Sequence, residues 1–224
     1  MTVRRPIDVW VTGGGTREPI DDVRWIGNVS TGRMACEVAR AAARRGDRVT
    51  LFLAELVTAP RSPRIALRRF VTAAQLRRAL RAERRAPDAI VHAAAVADYA
   101  PVPVRGKVPS GRSSWTLTLR PLPKIVAELR RRHRRAVLCM FKLESGLSRA
   151  ELLRRAAAAA RKAGADLVFA NRLEDVGAEH RGFLLEPKGG RVVETRTRGG
   201  AARAILRACH AAAGGRSAAR GANA

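Results

Sequence analysis

One stretch constrains the fold of this chain more than any other: Val9–Ala35, VWVTGGGTREPIDDVRWIGNVSTGRMA. It opens inside a short apolar run, Ile7–Thr12, that reads as a buried β-strand. Gly13, Gly14 and Gly15 follow, where a backbone without Cβ can take positive φ and approach a ligand closely. Ser30-Thr31-Gly32 then opens a helical pattern running to Arg45, with Ser30 or Thr31 as the expected cap. A strand, a glycine turn and a helix N-terminus make a geometry suited to phosphate. Unpaired N–H groups and the positive end of the helix dipole both favour an anion there.

The rest of the chain repeats this alternation of strand and helix. Gly46-Asp47 turns into a strand at Arg48–Leu53, which completes a βαβ unit. A Pro-containing connection over Leu56–Pro63 leads to a short strand at Arg68–Val71. Thr72 caps a helix at Ala73–Arg85, and Asp88–Ala94 is apolar almost throughout, as a central parallel strand should be. Asp98–Ser114 is rich in Pro and Gly and longer than an ordinary connection, so it is expected to be a lid or a disordered segment. Trp115–Leu119 alternates like a strand, and Pro123 suits the first turn of a helix reaching Arg132. Ala136–Phe141 is a strand, Ser148–Ala163 a helix and Asp166–Ala170 a strand. Gly182–Glu186 and Val192–Thr195 read as an antiparallel hairpin around Gly189-Gly190, and Ala201–Ala213 is a last helix. The expected fold is α/β and Rossmann-like. It has a mainly parallel sheet, helices on both faces and a C-terminal antiparallel hairpin. A single domain spans 1–212, and 213–224 is expected to be a disordered tail.

Composition narrows the class further. No apolar run reaches the roughly 20 residues of a membrane span, and the two arginines in Met1–Pro6 precede no apolar core, so the expected location is cytoplasmic. Cys36, Cys139 and Cys209 show no CxxC spacing and read as small buried hydrophobes. The net charge of +25 comes from 44 Lys and Arg against 19 Asp and Glu. A nucleic-acid protein would also carry such a balance. Here the arginines are spread over several helix faces, aromatics are 4% of residues, and no nucleic-acid motif is present. Specific nucleic-acid binding is therefore not expected.

Two common phosphate motifs are excluded. GxGxxG would need glycine at position 18, which is Glu18, and no Gly-Lys-Ser/Thr of a P-loop occurs. What stands instead, GGTREPIDDVRWIGNVSTG, resembles the opening motif of phosphopantothenoylcysteine synthetase. AAAVADYAP at Ala93–Pro101 resembles its second signature, and Lys107 follows at the family's distance. FKLE at Phe141–Glu144 resembles the form typical of monofunctional synthetases, so the expected form is one without a flavin decarboxylase segment before the first motif.

The resemblance implies a ligase of coenzyme A biosynthesis that joins 4′-phosphopantothenate to L-cysteine through an acyl-nucleotide. It also implies CTP in preference to ATP, a requirement for Mg²⁺ and a homodimer. It implies catalytic roles for Asn28 and Lys107. It implies nucleotide contacts by Ala93, Ala94, Asp98, Lys107, Leu122, Pro123, Lys124, Ile125, Phe141 and Lys162. Gly13, Gly14, Gly15, Arg24, Ser30, Thr31 and Gly32 would hold substrate and its phosphate. No metal ligands are assigned. Each residue also has an ordinary structural use: Asn28 as a turn former, Arg24 as surface charge, the alanines as tight packing, Phe141 as core and Lys107 as a solvated loop residue. The chain departs from the family at Ala35, where relatives usually have Gly, and at Ala158, the place of a first nucleotide-binding lysine for which Arg154, Arg155 or Arg161 can substitute in charge. Two other readings compete: an NAD(P)-binding Rossmann reductase, and a non-catalytic relative that binds RNA.

Overall fold

The computed structural model describes residues 5–111, 113–177 and 180–221. In chain order the elements are β1 (Asp8–Gly13), β2 (Arg17–Pro19), β3 (Trp25–Gly27), α1 (Arg33–Arg44), β4 (Arg48–Ala54) and β5 (Ile65–Phe70). Then come α2 (Ala73–Ala82), β6 (Ala89–His92), β7 (Tyr99–Pro101), β8 (Leu119–Pro121), α3 (Ile125–Arg132) and β9 (Val137–Glu144). The chain ends with α4 (Arg149–Ala163), β10 (Leu167–Arg172), β11 (Gly182–Leu185), β12 (Val192–Thr195) and α5 (Arg198–Gly221).

Eight strands form one sheet in the order β12-β11-β10-β9-β6-β1-β4-β5. Every pairing from β10 to β5 is parallel, and β11 and β12 add antiparallel at the other end. This is the expected α/β architecture with its C-terminal hairpin. Period-2 alternation along β1 explains the two layers. Val9 and Val11 face α1 and α5, whereas Trp10 faces α2, α3 and α4. Both clusters are nearly dry, as two-sided burial of a parallel sheet requires. The chain leaves β1 for β4 on one side and later reaches β6 on the other. The switch point of the sheet therefore lies between β1 and β6, at their carboxyl ends.

Several expectations need correction. A small antiparallel pair, β2 and β3, occupies the segment between the glycine turn and α1. Strands this short carry too little pattern to be read from sequence. The strand expected at Trp115–Leu119 is displaced to β8, which pairs with β7, because Trp115 instead lies over the Arg24 guanidinium at 4.6 Å from its ring centroid. The strand expected from Arg68 begins at Ile65, in register with Val49 of β4. The cap of α1 is neither Ser30 nor Thr31 but Gly32 at φ 66°, with no side-chain cap bond. Pro123 precedes the first turn of α3, whose N-cap is Lys124.

The tail differs most. Where disorder was expected over 213–224, α5 continues to Gly221, and 222–224 lie outside the described residues. Propensity does not explain the extension, because Gly214, Gly215 and Gly221 are poor helix formers. Arg216 anchors it, donating to the carbonyls of Arg135 at 2.9 Å and Ala136 at 2.7 Å and pairing with Asp166. A second tie joins His210 Nε2 and Asp47 Oδ2 at 2.9 Å, on the turn that follows α1.

Ala35, the first departure from the family pattern, is accommodated without crowding. It is buried on β1, and a Cβ built on Gly13 would lie 2.1 Å from the Ala35 Cβ. The methyl on α1 thus fills the space that a strand residue with no side chain leaves. Gly13→Ala is expected to destabilise the fold by about 1–3 kcal/mol through overpacking. The cost should shrink in an Ala35→Gly background, because the clash is between two specific methyls. Denaturant melts of the two single variants and the double variant measure that coupling.

Candidate active site at the sheet switch point

The two signature stretches are stitched together at the switch point. Beyond β1 and β6 the chains continue side by side, with a parallel bridge between Gly15 and Ala95. Ala93 N donates to the Thr12 carbonyl at 3.1 Å, Ala95 N to Gly14 at 2.9 Å and Thr16 N to Ala95 at 3.1 Å. Two threonine hydroxyls complete the seam. Thr12 Oγ1 accepts from Ala94 N at 3.1 Å, and Thr16 Oγ1 accepts from Ala97 N at 2.9 Å. The amides of Ala93, Ala94 and Ala95, expected to approach a ligand, are therefore consumed by β1 and its turn. What these alanines leave open is their small side chains. Gly15 has a packing reason to lack a side chain, since a Cβ there would lie 2.2 Å from the Asn28 carbonyl oxygen.

Beneath the seam sits His92, whose Nδ1 is 2.8 Å from Thr12 Oγ1. Burial lowers its pKa to about 4. The hydroxyl accepts from Ala94, so it can give its own proton to a neutral imidazole. In the unfolded chain the same group would titrate near 6.5. The folded state therefore binds fewer protons between these values, so the stability His92 confers is intact above pH 6.5 and lost as pH falls toward 4. The total is about 3 kcal/mol. His92→Gln should flatten that part of the stability–pH curve, as read from urea melts at pH 7 and pH 4.5 in both proteins.

Asn28 links the seam to the segment before α1: its Nδ2 donates to the Val96 carbonyl at 3.2 Å. Next to it, Ser30, Thr31 and Arg33 line a cleft of about 620 Å³ together with Val57, Arg40 and Arg198. The first turn of α1 opens on this cleft and holds no acidic residue. Three guanidinium groups, two hydroxyls and the helix N-terminus suit an anionic ligand. Among the described residues Glu37, paired with Arg40 at 3.0 Å, is the one carboxylate that lines the cleft. Arg33, Arg40 and Arg198 carried no signal in the sequence, because each is one arginine among many.

Asp98 follows the second signature, and its carboxylate pairs with Lys124 at the N-cap of α3. The Asp98 carbonyl also accepts from Leu122 N at 2.8 Å. Asp98, Leu122, Pro123 and Lys124 thus form one group at the carboxyl edge of the sheet. Ile125 instead points into the core. Phe141 lies one residue beyond Met140, the partner of His92 across β6 and β9, which places it level with Ala93. Its ring packs on Phe169 at 5.2 Å. Lys162 does not join this group. It is one residue from the end of α4, at the edge where β9 and β10 begin, because a crossover helix runs antiparallel to its strands. Of the arginines that could replace the charge missing at Ala158, Arg154 and Arg155 both pair with Glu151, and Arg155 also lies 3.9 Å from Glu144 at the carboxyl end of β9.

Arg24 is engaged differently from the expected phosphate fork. It donates through Nε to Asp21 at 2.9 Å and through a terminal nitrogen to the Val108 carbonyl. Asp21 is a feature that sequence reading passed over: a buried acid accepting the N–H groups of Val23, Arg24 and Val108. Burial pushes its pKa up, but those donors and the Arg24 guanidinium hold it well below the ordinary carboxylate range. Lys107 is exposed in the loop that Asp21 reaches, and among the described residues no carboxylate pairs with it.

A mainly parallel sheet with a glycine turn at its switch point, and an arginine-lined cleft between α1 and the segment that follows β4, defines a Rossmann-like α/β domain. Residues 5–211 match the DNA/pantothenate metabolism flavoprotein C-terminal domain, and the chain belongs to that family. Among curated proteins it is 35% identical over 185 residues to the coenzyme A biosynthesis bifunctional protein CoaBC of Thermococcus kodakarensis, covering 79% of this chain and 44% of that protein. It is 34% identical over 172 residues to a cysteine/cysteine sulfinic acid decarboxylase from an unknown prokaryotic organism, covering 76% and 47%. The chain thus spans less than half the length of these curated relatives. The crystal structure of a DNA/pantothenate metabolism flavoprotein from Streptococcus pneumoniae superposes with a TM-score of 0.84 at 25% identity, covering 92% of this chain and 99% of that one. A Cab2 variant in complex with phosphopantothenate-cysteine shares the fold, with a TM-score of 0.70 at 17% identity over 94% of this chain and 88% of that one.

Proposed function

We propose that this domain ligates 4′-phosphopantothenate to L-cysteine, using a nucleoside triphosphate to activate the carboxylate. The observation that carries the reading is the seam itself. Both family signatures, far apart in sequence, meet at the switch point and bring Asn28 against Val96 beside an arginine-lined cleft. CoaBC, the relative with the longer match, is a coenzyme A biosynthesis protein. The substrate carboxylate attacks the α-phosphorus of the triphosphate. One P–O bond forms, another breaks, and pyrophosphate leaves. The cysteine amine then attacks the acyl carbon, an amide bond forms, the nucleoside monophosphate departs and the amine loses its proton.

In this scheme Ser30, Thr31 and the first turn of α1 bind the substrate phosphate, and the cleft arginines add charge. Asp98, Lys124 and the Leu122–Pro123 turn flank the nucleotide. Lys107 offsets the charge that develops during activation. Asn28 donates to the acyl oxygen of the intermediate. No three His, Cys, Asp or Glu side chains converge to hold a metal among the described residues, so no step is assigned to a protein-held ion, and Mg²⁺ enters as the counter-ion of the triphosphate. CTP is the preferred triphosphate, a homodimer the working assembly and the cytoplasm the site of action. None of the helices among the described residues is long and apolar enough to cross a membrane.

The reductase reading is weakened at Glu18, where a third glycine would stand. Glu18 lies in β2, not at the start of a helix, and its carboxylate accepts Ala73 N at 2.9 Å. The deciding assay mixes the protein with 4′-phosphopantothenate, L-cysteine and either CTP or ATP. Pyrophosphate release that requires phosphopantothenate, and is faster with CTP, is the expected result. Equal or faster turnover with ATP reverses the nucleotide preference, and no release with either defeats the ligase reading.

A further inference from the structure

We propose that Asp21 and Asp22 are positioning residues for Lys107, latching the loop over 98–114 on both sides of the lysine. The proposal rests on the ligase reading for the role of Lys107, but the latch can be measured without it. Asp22 Oδ2 accepts from Gly106 N at 3.0 Å, and Asp22 N donates to the Gly106 carbonyl at 3.2 Å. On the other side Asp21 Oδ2 accepts from Val108 N at 3.1 Å, while the Val108 carbonyl accepts from Arg24. The neighbours of Lys107 are thus each bonded through both N–H and C=O to the Asp21–Arg24 segment. Val104 N reaches the Ile20 carbonyl at 2.9 Å as a further tie.

The hub of this arrangement is Asp21, whose side chain is 0% exposed. Its oxygens also accept Val23 N at 2.9 Å, Arg24 N at 2.7 Å and Arg24 Nε at 2.9 Å. A buried carboxylate is costly when any of its bonds is missing, so its shell is complete only with Val108 docked. Trp115 lies over the Arg24 guanidinium and covers the latch from outside. Val108 itself is 9% exposed, which adds an apolar contact to the polar ones. A loop expected to be a lid or a disordered segment is pinned at its middle, and the pinned residues bracket its one lysine. For a group that must meet a transferring phosphoryl charge, such preorganisation matters, because a displacement of about 1 Å can cost roughly 10² in rate.

The test uses Asp22→Ala, at an exposed side chain, and Asp21→Asn, which removes two acceptor sites while keeping the size. Hydrogen exchange of the peptide containing Gly106 and Val108 should quicken at least about tenfold in both variants. Pyrophosphate release should slow roughly 10²-fold in kcat, with the KM for nucleotide nearly unchanged. Lys107→Ala should leave the exchange as in wild type. Where Asp21→Asn fails to fold, Asp22→Ala alone decides. Unchanged exchange in Asp22→Ala overturns the latch. Faster exchange with wild-type kcat overturns the positioning role. If the wild-type protein releases no pyrophosphate, the ligase reading and the positioning role fail together, while the exchange data still settle the latch.

Discussion

Lys107→Ala is expected to reduce the release of pyrophosphate by roughly 10²–10³, or about 2.7–4 kcal/mol, the usual effect of deleting one group that meets developing charge. The melting curve should be unchanged. The side chain is exposed, no carboxylate pairs with it among the described residues, and the loop is held by the backbones of Gly106 and Val108 and not by the lysine. Nucleotide binding, measured by calorimetry, should weaken much less than kcat, because the charge is needed most in the transition state. Lys107→Arg should recover little, since a planar guanidinium differs from an ammonium in reach and shape. A folded Lys107→Ala protein that releases pyrophosphate at the wild-type rate would remove this residue from the mechanism.

The architecture was legible wherever burial imposed a period. β1, β4, β6, β9 and β10 are apolar on both faces, and their runs stand out between turn residues. The capping box of Thr72 and Gln75 at α2 is likewise written in four residues. The chain was opaque where structure depends on a distant partner. β2, β3, β7 and β8 have three residues each and form only because another ribbon lies beside them. Gly32, not Ser30 or Thr31, opens α1, because its positive φ turns the chain against Val57. The extension of α5 rests on Arg216 meeting Asp166 across the fold, and nothing local encodes that.

Legibility of the site follows the same division. Position at the switch point could be read, since Gly13–Gly15 end one strand and Ala93–Ala95 end its neighbour. Roles within it could not, because a short motif does not say which of its polar atoms the fold itself uses. The amides of the alanine run close the seam, Arg24 serves Asp21, and Lys162 falls at the opposite edge of the sheet. The high arginine content masked Arg33, Arg40 and Arg198, which only their shared cleft distinguishes. Asp21 was overlooked because an acid in a loop ordinarily reads as solvated, whereas here it is buried under its own N–H donors.

Asn28→Asp separates the chemistry of the site from its construction. The amide nitrogen donates to the Val96 carbonyl at 3.2 Å, which leaves its second N–H available for an acyl oxygen. Aspartate keeps the size but offers only acceptors, so it faces that carbonyl without a proton and adds a negative charge beside an anionic intermediate. If Asn28 served only to tie the two signatures, Asn28→Ala and Asn28→Asp would lower the melting temperature and slow both half-reactions to similar degrees. If its amide stabilises the oxygen that gains charge when cysteine attacks, the second half-reaction should fall by roughly 10²–10³ while the first falls far less. Asn28→Asp should then be worse than Asn28→Ala, because repulsion is added to the lost donor. Rapid-quench measurement of pyrophosphate and of amide product in the same samples resolves the two steps, with thermal melts of each variant as the control. Amide formation at the wild-type rate in a folded Asn28→Asp protein would reduce Asn28 to a structural tether.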